Sequence, residues 1–265
     1  MTEKKTSTNL TYSGERLVQN KRILEPQRVE NIARFNYFKN IISRGRILDY
    51  GCGAGEGTHF LSTFDDYEVI GVDISFEAVK YATDYYDQER LTFICGNILF
   101  PCFTDQAFDG IISVEVIEHV HDPHRYLENI QHLLKPEGVF MLTTPNQLIS
   151  SPTPGSLWPD HVREYSVDAL REILNQYFSE IKILGEHIPV YEENRVRQLV
   201  RKVSPIVKPL LPKWLRVRAL PFLFTLIRSD IKIEDVVFTS TDVEKSPTLV
   251  AICLNPKTME NPALK

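Results

Sequence analysis

The chain has 265 residues, a formal net charge of -5 and a pI near 5.8, with 43% hydrophobic and 25% charged residues. That length can bury a full core, as one enlarged α/β domain or one domain with an appendage, and the acidic balance excludes a general nucleic-acid binder, which carries a broad basic surface. No apolar run reaches the roughly 18 residues that span a bilayer. The polar start MTEKKTSTNL has no apolar h-region, and none of the four cysteines is in CxxC spacing, so no secretory leader or disulfide framework is expected and a reduced, cytoplasmic setting fits.

Residues 11–19, TYSGERLVQ, read either as a surface turn at Gly14 entering a helix or as a lid over a ligand. From Arg28 to Ile42, apolar residues recur at Val29, Ile32, Phe35, Phe38, Ile41 and Ile42 with helical spacing, and Arg34 lies on or beside that stripe. The chain is organised around the next stretch, RILDYGCGAGEG (46–57). Ile47 and Leu48 end a buried strand, Asp49 follows, and glycines fall at Gly51, Gly53, Gly55 and Gly57 before a helix over 58–64. A strand, a glycine turn and a helix bring backbone N–H groups close to a ligand, because glycine has no Cβ in the way. The dinucleotide pattern G-x-G-x-x-G/A needs a small residue where Glu56 stands, so the nicotinamide reading fails. An acid before G-x-G-x-G suits a smaller cationic ligand, with the Asp49 carboxylate facing an ammonium or sulfonium.

This stretch resembles motif I of the class I S-adenosylmethionine-dependent methyltransferases. A bacterial subgroup found with polysaccharide and glycosyl-transfer systems opens with a GERxVP-like segment and then H-x-x-R-[YF]. Gly14-Glu15-Arg16-Leu17-Val18 and Asn31-Ile32-Ala33-Arg34-Phe35 are similar, with Gln19 and Asn31 departing from it. The resemblance implies a Rossmann-like, seven-stranded, mostly parallel sheet with helices on both faces. It implies S-adenosylmethionine as methyl donor, a contact of Arg34 with the methionine carboxylate, and donor contacts at Ile74 and Glu115. Arginine suits the carboxylate by bidentate pairing; the alternative for Arg34 is a solvated helical side chain.

Strand signals recur at 46–49, 68–73, 91–94, 108–114 and 138–144, separated by helices over 76–87 and 123–134. Such alternation predicts a parallel sheet with ligands at the carboxyl ends of its strands. The second strand ends at Asp73, 24 residues after Asp49. An acid there accepts both ribose hydroxyls, or merely caps the next helix. The third strand ends at Cys95-Gly96-Asn97. By resemblance Asn97 accepts from the adenine amino group and the Ile98 N–H meets a ring nitrogen; the alternative is a turn asparagine.

The fourth strand runs into EVIEHVHDP, which spaces Glu115, Glu118 and His119 as i, i+3, i+4. On one face these three bind a hard divalent cation such as Mg²⁺, or His119 acts as general base, or Glu118 and His119 only support the loop. The motif is similar to that of two metal-using groups, the small-RNA 3′-end and the ubiquinone-pathway O-methyltransferases. Asp122-Pro123 begins a helix with Tyr126, Leu127, Ile130, Leu133 and Leu134 on one face, ended by Lys135-Pro136-Glu137-Gly138. Residues 150–166, SSPTPGSLWPDHVREYS, read as a loop over the strand ends. In it His161 completes the Glu115/Glu118/His119 set, serves as the base, or is a bonded loop histidine, and Trp158 and Tyr165 stack on an acceptor or pack the loop.

A helix over 167–178 and a sixth strand over 181–188 follow. From Asn194 to Ser229 there is no acid, while nine Arg or Lys residues alternate with apolar ones and four prolines. That segment reads as a basic helical cap inserted between the sixth and seventh strands, with contact to an anionic membrane or a phosphorylated or lipid-linked acceptor as alternatives. Residues 230–241 return to the sheet and 248–255 form the last strand, antiparallel by resemblance. The expected organisation is a tail and lid over 1–26, a donor-binding core over 27–190, the insert over 191–230 and a return over 231–265. Three functions compete: O-methylation of a saccharide, free or lipid-linked; O-methylation of a small phenol or quinone precursor; and donor binding without turnover.

Overall fold

A computed structural model describes residues 25–152, 160–189 and 231–257. The lid segment 11–19, Trp158 and the basic insert 191–230 lie outside the described residues. Five parallel strands form the left of the sheet: β1 (Gly45–Tyr50), β2 (Tyr67–Asp73), β3 (Leu91–Cys95), β4 (Phe108–Val114) and β5 (Leu134–Pro145). They are followed by β6 (Phe178–His187), β7 (Val237–Thr239) and β8 (Thr248–Pro256). The order is β3-β2-β1-β4-β5-β8-β6-β7, with β8 antiparallel to both β5 and β6.

The sheet therefore has eight strands among the described residues, not seven. The additional one, β7, is a three-residue edge strand antiparallel to β6. Three residues carry too little pattern to be read as a strand of their own, which is why the stretch reads only as a return to the sheet. Two boundaries also differ. The helix expected over 167–178 stops at Leu174, and β5 starts at Leu134, directly after the preceding helix, with a register shift against β4 between Phe108 and Gly110.

Period-2 alternation explains how both faces are covered. Leu48, Tyr50, Ile111, Phe140 and Leu142 bury against Tyr126, Leu127 and Ile130 of α4 (Pro123–Leu133) and Leu170 and Leu174 of α6 (Val167–Leu174). Ile47, Val69, Ile112 and Met141 bury instead against Phe35 and Phe38 of α1 (Glu25–Ile41) and Leu61 of α2 (Glu56–Ser62). Each of these side chains stabilises the fold by about 1.5–3 kcal/mol on full burial. Asp49 shares the face of Ile47, so it is carried beneath α2 and not toward α4. Helix α3 (Phe76–Tyr85) starts at Ser75, whose hydroxyl accepts the Ala78 N–H, and α4 starts at Asp122, whose carboxylate accepts the Arg125 N–H with Pro123 in the first turn. No helix of the described residues is long and apolar enough to cross a membrane.

Candidate functional site

The glycine turn is built by backbone conformation. Gly51, Gly53 and Gly55 all have positive φ, at 100°, 53° and 82°. A Cβ on Gly51 would collide with Val116, and one on Gly55 would lie 2.6 Å from the Phe93 ring. A Cβ on Gly53 would meet nothing within 4 Å, so open space lies over the middle of the turn. The N–H groups of Gly51 and Cys52 both bond the Val72 carbonyl, tying the turn to β2.

Asp73, at the end of β2, accepts from the Gly53 N–H and the Ser75 N–H, both at 2.8 Å. Its carboxylate thus fixes the turn and lines a cleft of about 800 Å³ at the carboxyl ends of the parallel strands. That size falls in the range of small-molecule clefts. Gly51, Gly53, Asp73, Ile74, Asn97, Ile98, Glu115 and His119 all line it, as does Arg34 from α1. Ile74 is 67% exposed, an apolar side chain left facing this opening. The Asn97 side-chain oxygen accepts the Leu99 N–H at 2.9 Å, closing the expected turn.

Asp49 does not line this cleft. It is 1% exposed and borders an adjoining pocket of about 90 Å³ beneath the glycine turn. The Thr58 hydroxyl donates to it at 2.6 Å. Burial pushes its carboxyl up to about 7, the Thr58 hydrogen bond opposes this, and the nearby Asp73 charge adds to it. Glu56, the residue that breaks the dinucleotide pattern, is buried at the start of α2 and ion-paired with Arg28 of α1.

Arg34 is held by partners outside its own neighbourhood in sequence. Its Nε and Nη2 donate to Glu186 of β6 at 2.6 and 3.2 Å, and its Nη1 lies 3.6 Å from Glu115. Burial opposes its charge, and the Glu186 and Glu115 carboxylates outweigh that and raise its pKa. The bidentate edge expected to meet a methionine carboxylate is therefore occupied by Glu186, and Nη1 is the edge left toward the cleft. Glu115 has a positive φ of 53° and accepts from the Thr143 hydroxyl at 2.8 Å.

Beyond Glu115 the chain makes a 3₁₀ turn over Ile117–His119. Glu118 is fully buried, with Oε2 bonded to the Thr144 hydroxyl at 3.0 Å and Oε1 without a partner among the described residues. Burial and the Glu115 charge hold its carboxyl well above the usual range. The Glu118 carbonyl accepts the Val162 and Arg163 N–H groups, which draws the 160–164 loop onto the turn. His119 and His161 then stand with ring centroids 4.9 Å apart at 82°.

One ligand atom each of Glu118, His119 and His161 lies within 4.8 Å of the others, and Glu115 is not among them. The expected four-residue set is thus not assembled. Its second carboxylate is turned to Thr143 and Arg34 by the strained backbone at the strand end. Two imidazoles and one buried carboxyl do not match the oxygen ligands that Mg²⁺ requires.

Residues 21–202, more than half of the chain, match the profile of the family described as "Methyltransferase domain". The chain belongs to this family. Of the curated relatives, a probable S-adenosylmethionine-dependent methyltransferase of Mycolicibacterium smegmatis is 32% identical over 131 residues, covering 48% of this chain and 49% of that protein. The chain is 32% identical over 128 residues to the ubiquinone biosynthesis O-methyltransferase of Coxiella burnetii, covering 47% and 54%. The chain thus spans about half the length of the curated relatives it matches. In fold it is similar to a possible histamine N-methyltransferase of Thermotoga maritima, with a TM-score of 0.59 at 16% identity over 88% of this chain and 92% of that one. It is also similar to the phosphoethanolamine N-methyltransferase 2 of Haemonchus contortus in complex with S-adenosyl-L-methionine, with a TM-score of 0.57 at 17% identity over 86% and 52%.

Sequence reasoning missed Glu186 and Thr248 beside Arg34, and Glu164 and Ser150 beside His161. A polar residue inside the apolar run IKILGEHI and the i, i+3 spacing of His161 and Glu164 are the signals that were present.

Proposed function

We propose that this methyltransferase domain transfers a methyl group from S-adenosylmethionine to a hydroxyl of a small acceptor. The observation that carries the reading is the open space over Gly53, flanked by the Asp73 carboxylate and opening into the cleft. When bound, S-adenosylmethionine supplies a methyl carbon made electrophilic by its sulfonium. Asp73 would hold the ribose hydroxyls, Asn97 and Ile98 the adenine edge, and Ile74 its face. The turn at Gly51, Gly53 and Gly55 would hold the methionine part, with Asp49 toward the ammonium, and Arg34 and Glu115 at the cleft wall. Glu30, Asp73 and Glu115 against Arg34 leave the lining net negative, which suits a cation.

The chain's task is then to align acceptor and donor, exclude water and receive a proton. An oxygen acceptor needs a base, and His119 lines the cleft with His161 behind it. The Coxiella burnetii relative is by name an O-methyltransferase. A saccharide, free or lipid-linked, is the first acceptor class, on the likeness of 14–18 and 31–35 to the polysaccharide-linked subgroup. A small phenol or quinone precursor is the second, favoured by the ubiquinone-pathway relative. In the lipid-linked version, residues 194–229 would meet an anionic membrane, and liposome flotation tests that contact.

Calorimetry with S-adenosylmethionine and S-adenosylhomocysteine, followed by labelled-donor transfer to a methyl hexoside and to a catechol, tests the reading. Heat with both the donor and its demethylated product, and label recovered as a methyl ether, are expected. Absence of heat with either species rejects donor binding, and heat without transfer to the hexoside or the catechol rejects O-methylation of these two acceptor classes.

A further inference from the structure

His161 and Glu164 form a pair built from two directions. The His161 side chain is 10% exposed and the Glu164 side chain fully buried, with Nδ1 2.7 Å from Oε1. The other Glu164 oxygen accepts the Ser150 hydroxyl at 2.5 Å, from the short helix α5 (Gln147–Ser150). A carboxylate only accepts, so Nδ1 carries the ring hydrogen and Nε2 is the basic nitrogen of His161.

His119 is anchored differently. Its Nδ1 donates to the Asp160 carbonyl at 2.9 Å. A neutral carbonyl sets the tautomer and supplies no charge; a carboxylate sets the tautomer and also stabilises the imidazolium that forms on protonation. His119 therefore has access to the cleft, and His161 has the counterion.

We infer that Glu164 is the positioning residue of this site: it holds His161 in the tautomer whose Nε2 finally receives the acceptor's proton. This rests on the O-methyl transfer proposed above. The acceptor oxygen bonds the methyl carbon, the carbon–sulfur bond breaks with its electron pair left on sulfur, and the hydroxyl proton moves to His119 Nε2. His119 passes it to His161, directly or through one water, and returns to neutral. The sulfonium charge that is lost reappears on the His161 imidazolium, opposite the Glu164 carboxylate, and the proton then leaves to solvent. Glu164 touches none of the reacting atoms.

Nitrogen-15 NMR of the full chain saturated with S-adenosylhomocysteine reads the tautomer, with His161→Gln assigning the signal. The wild type is expected to show Nδ1–H alone, and Glu164→Ala a mixture of both tautomers. Glu164→Gln keeps an acceptor for Nδ1–H and loses the charge, so it is expected to restore the tautomer. With the probe that takes label, methyl hexoside or catechol, Glu164→Ala is expected to lower kcat about 10²-fold and Glu164→Gln about tenfold, with donor KM within about twofold of wild type. An unchanged tautomer in Glu164→Ala, or a kcat loss matched by an equal loss of donor affinity, overturns the role. Should Glu164→Ala fail to fold, Glu164→Gln with wild-type kcat overturns it equally. No calorimetric response of the wild type to S-adenosylhomocysteine overturns the functional reading instead.

Discussion

Asp49 shows how one residue's surroundings change its chemistry. Its burial, only partly offset by the Thr58 hydroxyl, brings the carboxyl to about 7. Because the folded value is raised, the stability linked to this group is complete below the ordinary aspartate range and is lost as pH rises through about 7. A cationic ligand has the opposite preference, since it favours the carboxylate. Donor affinity is therefore expected to strengthen roughly tenfold from about pH 6 to pH 8, with proton release. Calorimetry in buffers of different ionisation enthalpy checks this, and Asp49→Asn is expected to flatten the dependence. His161 gains its meaning in the same local way, through Glu164 and Ser150.

The glycine turn and the helix after it separate two jobs that look alike in sequence. Gly53 has a positive φ of 53° and open space above it. Gly53→Ala is expected to cost about 1–2 kcal/mol from the left-handed backbone and to weaken donor affinity, because the methyl fills the space over the turn. Gly57 has no such φ, but a Cβ there would run into the Phe35 ring of α1. Gly57→Ala is expected to cost about 1–3 kcal/mol by overpacking and to leave the affinity of the folded fraction nearly unchanged. Melting temperature and calorimetry on both variants distinguish the two jobs. The turn over 117–119 makes a similar point about the ExxEH spacing. Helical spacing implies one face for Glu115, Glu118 and His119, but Glu115 sits at a positive φ before the turn and leaves the set. Turnover is accordingly expected not to depend on Mg²⁺, and activity lost to EDTA and restored by Mg²⁺ would contradict that.

Across the molecule, the Arg34–Glu186 pair joins the first helix to β6, and β8 lies between β5 and β6. Arg34 and Glu186 are 8% and 4% exposed, so removing one partner strands a buried charge. Glu186→Ala is expected to destabilise the fold by about 3–5 kcal/mol, read from denaturant unfolding. The antiparallel insertion of β8 is what brings Thr248 to 3.4 Å from the same guanidinium.

The alternation of strands and helices, the glycine turn and the places of Asp73 and Asn97 at the strand ends were legible in the chain, because each depends on contacts a few residues apart or on one strand-turn-helix unit. Period-2 and helical patterns report burial directly, so the sheet and its two covered faces followed from them. The partners of Arg34, the departure of Glu115 from its spaced neighbours and the three-residue strand β7 were not. They depend on which strand lies beside which, and on backbone angles at a strand end. Those are set by the packing of the whole sheet, and no local pattern encodes them.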